Sequence, residues 1–161
     1  MCIRDSFWGY LVINGDDKNF QKISSKISRK KITYGTSQNC DYKIVDILSI
    51  EGCQKFKIED SFLKKSHSFQ INLPGHNVFN AAASIVVAIQ EGLDIEAIKK
   101  GVLDFSGVGR RYEKHVINID KEKKFLIDDY GHHPLEIRCN LDAIREEFLS
   151  LIHISEPTRP C

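Results

Sequence analysis

The chain has 161 residues, of which 42% are hydrophobic and 28% charged, and its formal net charge is +1. That composition is ordinary for a water-soluble globular protein long enough to bury a core, and a net charge this close to zero gives no electrostatic case for a nucleic-acid or membrane partner. Five cysteines at irregular spacing, with no C-x-x-C pair, argue against a zinc knuckle or redox motif and for reduced thiols in a cytoplasmic setting.

In chain order, Tyr10-Leu11-Val12-Ile13-Asn14 is a short apolar run closed by Gly15-Asp16-Asp17. It predicts a buried parallel strand with its exit turn, where the carboxylates punctuate the strand end. Phe20, Ile23 and Ile27 recur at helical spacing. From Ile32 to Leu73 the period changes to two, as in Tyr42/Ile44, Phe56/Ile58 and Phe69/Ile71/Leu73, with Glu51-Gly52 as a turn. This predicts short antiparallel strands. After Pro74-Gly75, residues Val78, Ala82, Ile85 and Ile89 form one helical stripe that stops before Gly92. Asp94 is positioned to cap a second helix bearing Ile95, Ile98 and Val102.

Residues 105–111 lose periodicity and contain two glycines, so a domain junction is expected there. Residues 124–130 then read as a strand. Pro134 suits a first helical position, and Ile137, Leu141, Ile144 and Phe148 supply that helix's apolar face.

Three groups of residues carry chemistry. His76, Asn77 and Asn80 open a helix, where free backbone N–H groups and the dipole favour an anion and side-chain amides suit a purine edge or ribose. Arg110-Arg111 could hold phosphate oxygens and offset charge developing in phosphoryl transfer. Asp128-Asp129-Tyr130-Gly131-His132-His133-Pro134 places carboxylates, a phenol and imidazoles at a strand's carboxyl end, where open α/β sheets bind ligands. Strand alternation should send Asp128 and Asp129 to different sides. No metal-binding spacing occurs among the histidines.

These motifs, with Gly75 to Ala82 and Phe105 to Glu113, resemble the Mur ligase family. The resemblance implies an α/β fold, with residues 7–106 forming the end of a central ATP-binding domain. That part would hold a parallel strand, small antiparallel strands and two helices. Residues 107–150 would begin a Rossmann-like C-terminal domain with its first strand–helix unit. It implies ATP and Mg²⁺ as cofactors, the metal ligands lying outside this segment, and UDP-N-acetylmuramate and L-alanine as substrates, joined through an acyl phosphate in cytoplasmic peptidoglycan synthesis.

By the same resemblance Arg111 is catalytic, and His76, Asn77, Asn80 and Asp129 contact the nucleotide. Tyr130, His132 and His133 face the amino-acid or muramoyl substrate. Two alternatives stand beside it: a ligase that returns a tripeptide to the same sugar nucleotide, and a catalytically silent nucleotide-binding domain. The P-loop GxxxxGK[ST] is absent, since no Gly-Lys dipeptide occurs. Residues 1–6 and 151–161 resemble translated sequencing-adapter sequence. The expectation is therefore an internal piece, inactive by itself.

Overall fold

The computed structural model describes residues 9–50, 53–75, 77–119 and 121–148. The chain divides into two compact units between Ser106 and Gly107.

The first unit is a five-stranded sheet in the order β1-β2-β3-β4-β5, made of β1 (Tyr10–Asn14), β2 (Lys30–Gly35), β3 (Tyr42–Ile50), β4 (Cys53–Asp60) and β5 (Lys65–Ile71). Helix α1 (Lys18–Ile23), capped by Asp17, and a 3₁₀ turn (Ser24–Lys26) carry the chain from β1 to β2. That crossover makes β1 and β2 parallel, as are β2 and β3. The antiparallel expectation from Ile32 onward therefore holds for β3, β4 and β5 but not for β2. Helical spacing through Ile27 overshoots α1, which ends at Ile23 and tightens into the 3₁₀ turn closed by Ile27 N donating to Ser24 O at 3.3 Å. Lys31 Nζ donates to the carbonyls of Ser24 (2.8 Å) and Ile27 (3.1 Å). The turn expected at Glu51-Gly52 lies outside the described residues.

Alternation in β4 is complete: Gln54, Phe56, Ile58 and Asp60 are buried, and Lys55, Lys57 and Glu59 are exposed. Against this apolar face lies α2 (Asn77–Gln90), which buries Val78, Ala82, Ile85 and Val86 and partly buries Ile89. The rotation of that stripe through Val86 is what a 3.6-residue period gives. Gly92 follows at φ +75°, a left-handed conformation suited to glycine just past a helix end. Helix α3 (Ile95–Asp104) packs on β5, and Asp94 caps it by accepting from Glu96 N (3.0 Å) and Ala97 N (3.1 Å).

The second unit is a two-stranded antiparallel sheet, β6 (Glu113–Ile119) and β7 (Glu122–Asp128), followed by α4 (Pro134–Glu147). Strand β7 begins and ends two residues earlier than the apolar run suggested. Phe125 and Phe148 pack at 5.1 Å between ring centroids, and Glu147 pairs with Lys114 and accepts from Tyr112 Oη at 3.2 Å. Among the described residues no helix is long and apolar enough to cross a membrane.

Candidate functional site

In the first unit the amide-bearing residues stand at the start of α2. Asn77 N donates to Pro74 O (2.9 Å) and Val78 N to Gly75 O (3.1 Å), so Pro74-Gly75 turns the chain directly into the helix. Burial of Val78 and Ala82 fixes the rotation of α2. That leaves Asn80 exposed and Asn77 half-buried, with Asn80 Nδ2 reaching Asn77 Oδ1 at 3.4 Å. His76 lies outside the described residues.

In the second unit the hairpin joins two motifs that are well separated in sequence. Glu113 pairs with Asp128 at the open end of the β6–β7 ladder. The residues before Glu113 and those after Asp128 consequently leave the sheet side by side. Tyr130 N donates to Arg110 O at 2.8 Å. One Asp129 carboxylate oxygen accepts from Tyr112 N at 2.8 Å, and the other from Gly131 N at 2.6 Å. Asp128, the last residue of β7, lies with Oδ2 3.7 Å from Arg110 Nε, and Asp129 is already beyond the strand, so the alternation expected to separate the two carboxylates does not extend to it.

Arg110 and Tyr112 both have left-handed backbones, φ +58° and +52°. For residues other than glycine such conformations cost on the order of 1–3 kcal/mol each and cluster at functional sites. Arg111 sits between them, its side chain half exposed, with Nη1 3.6 Å from Glu136 Oε1. The Arg110 guanidinium lies 5.3 Å from the centroid of the Tyr130 ring, a cation–π contact. Tyr130 in turn meets the His132 ring at 5.7 Å between centroids.

His133 is the N-cap of α4, its Nδ1 accepting from Leu135 N at 3.2 Å, and Pro134 opens the helix. His132 is exposed, with Nδ1 3.4 Å from Tyr130 O and 3.9 Å from Glu136 Oε2. Desolvation is the largest single influence on Glu136 and opposes its ionisation. The backbone N–H groups of His132 and His133 and the charge on Arg111 outweigh it and hold the carboxyl below its ordinary range.

Arg111, Asp129, Tyr130, His132 and His133 thus share one end of the second unit, while Asn77 and Asn80 belong to the first. Sequence reasoning did not single out Glu136, although its i, i+4 spacing from His132 was a usable signal. It also missed the backbone conformations of Arg110 and Tyr112, for which no sequence signal exists. Among the described residues no cluster of histidine, cysteine and carboxylate side chains could hold a metal ion. At that end of the second unit the donors, a guanidinium, an imidazole and a phenol, suit an anionic ligand with hydroxyl groups.

The Mur ligase middle domain matches residues 5–88 of the chain. UDP-N-acetylmuramate–L-alanine ligase of Psychrobacter cryohalolentis is 39% identical over 147 residues, covering 88% of this chain and 30% of that protein. MurF of Acinetobacter baumannii superposes with a TM-score of 0.69 at 20% identity, over 86% of this chain and 30% of that one. MurF of Thermotoga maritima, solved in complex with ADP, does so with a TM-score of 0.64 at 20% identity, over 84% of this chain and 30% of its own length. The chain spans about a third of the length of the curated relatives it matches. With the middle-domain match covering just over half of its length, the chain belongs to the Mur ligase family.

Proposed function

We propose that the chain is part of an ATP-dependent ligase that forms the amide between UDP-N-acetylmuramate and L-alanine in cytoplasmic peptidoglycan synthesis. The first unit would be the end of the central domain and the second the beginning of the C-terminal domain. The observation that carries the reading is the Glu113–Asp128 register, which brings the arginine loop and the Asp-Asp-Tyr-Gly-His-His loop to one end of a hairpin. Sequence identity of 37–39% to ligases of that name over most of the chain supports the same substrates.

In this reading Arg111 stabilises charge on the phosphoryl group as the carboxylate is activated to an acyl phosphate. Asn77 and Asn80, with His76, contact the nucleotide, and Asp129 accepts from its ribose. A carboxylate has about four lone-pair sites, so the two backbone bonds to Asp129 leave capacity for a hydroxyl. Tyr130 and His132 line the amino-acid or muramoyl side. His133 supports them from the helix cap. Mg²⁺ and the triphosphate would be held by residues outside this chain, which has no Gly-Lys dipeptide.

The test uses the full-length protein that carries this segment. Phosphate release should require ATP, UDP-N-acetylmuramate and L-alanine together. Turnover with a cell-wall tripeptide in place of L-alanine would favour the recycling ligase. No turnover with either amine would favour a silent nucleotide-binding domain.

A further inference from the structure

We propose that Asp129 is a positioning residue for Arg111, its carboxylate fixing the strained loop that carries the guanidinium. The inference rests on the role given to Arg111 above. Arg111 lies between two non-glycine residues in the left-handed region, Arg110 and Tyr112, and a segment in that conformation persists only where its surroundings over-determine it. Here the surroundings are specific. Tyr112 N donates to one Asp129 oxygen at 2.8 Å, the Arg110 carbonyl accepts from Tyr130 N at 2.8 Å, and the Tyr112 side chain is buried.

The other Asp129 oxygen accepts from Gly131 N at 2.6 Å, which sets the carboxylate's own orientation. A side chain at residue 131 would place its Cβ 2.7 Å from that oxygen, so glycine is what permits the approach. Hydrogen bonds from backbone N–H groups to an ionised carboxylate are about twice as strong as neutral ones. One charged group therefore ties the arginine loop to the turn bearing Tyr130 and His132. A ribose contact alone would need neither backbone bond.

The test compares Asp129→Asn, Arg111→Ala and the double variant in the full-length protein, reading kcat and the KM for ATP separately. If Asp129 acts through Arg111, Asp129→Asn lowers kcat at least tenfold, and the double variant is no slower than Arg111→Ala within twofold. Losses in kcat that multiply would overturn the proposal, as would a change confined to the KM for ATP. Gly131→Ala, which keeps the carboxylate but crowds it, should show the same non-additivity with Arg111→Ala and guards against misfolding of Asp129→Asn.

A readout independent of turnover uses amide hydrogen exchange in the present chain. Asp129→Asn should speed exchange at Tyr112 and Gly131 while leaving α2 protected; unchanged exchange at both amides would equally sink the idea. A wild-type enzyme without ligase activity would refute the proposed function and leave this exchange result to stand separately.

Discussion

Arg111 Nη1 lies 3.6 Å from Glu136 Oε1, with the Arg111 side chain half exposed and that of Glu136 somewhat less so. A solvent-accessible pair of this kind adds little to stability. The fold therefore does not depend on Arg111, and its guanidinium is free to exchange this partner for a phosphoryl oxygen. Arg111→Ala in the full-length enzyme should leave the unfolding midpoint nearly unchanged and lower kcat by roughly 10²–10³, since one such charge-stabilising donor is typically worth about 2.7–4 kcal/mol. Steady-state kinetics beside thermal unfolding would decide it: an unaltered rate removes Arg111 from the machinery.

Much of the frame of each unit was legible in the sequence, and what was not has physical reasons. The α2 stripe is readable because Val78, Ala82 and Ile85 face a sheet, and burial imposes the helical period. Asp94 and Pro134 are readable because caps are local chemistry. Strand β6 was not foreseen. Val116, Phe125 and Leu126 remain exposed in a two-stranded ribbon, so no buried face enforces a clean alternation on His115-Val116-Ile117. The parallel pairing of β2 depends on where α1 returns the chain, which the residues of β2 do not encode. The meeting of Arg110-Arg111-Tyr112 with Asp128-Asp129-Tyr130 follows from one register, Glu113 with Asp128, and register is a tertiary fact.

The absent Gly-Lys dipeptide leads to a second expectation. The lysine and backbone N–H groups of a P-loop supply most of the grip on the β- and γ-phosphates, and the chain has none of that motif. Calorimetric titration of the present chain with ATP and Mg²⁺ should give no measurable heat of binding. Micromolar affinity would show that the α2 start or the Arg111 loop holds the nucleotide unaided.

Stability of the first unit should be concentrated in α2 and its cap-bearing neighbour. Ile85 is completely buried between α2 and the sheet, so Ile85→Ala should cost about 2–5 kcal/mol in urea unfolding. Asp94→Ala removes the acceptor for two first-turn N–H groups of α3 and should cost about 1 kcal/mol. Val87, on the exposed side of α2, provides the control: Val87→Ala should fall within about 0.5 kcal/mol of wild type. Equal losses at Val87 and Ile85 would mean that this face of α2 is not the buried one.

Acid should weaken the first unit through Asp16. Burial disfavours ionisation of that carboxyl, yet hydrogen bonds from the hydroxyls and backbone N–H groups of Ser37 and Thr36 prevail and hold it below the ordinary carboxylate range. These bonds tie the β1–α1 turn to the segment after β2. Because the folded-state value is the lower one, the stabilisation is fully present above the ordinary carboxyl value. It is lost as pH falls from there through the native value. Asp16→Asn keeps an acceptor but carries no charge, so it should be clearly less stable than wild type at neutral pH. The gap in urea midpoint should close progressively once the pH drops below the ordinary carboxyl range. A gap of constant size from neutral to strongly acid pH would mean that the Asp16 charge contributes nothing and that only the shape of the side chain matters.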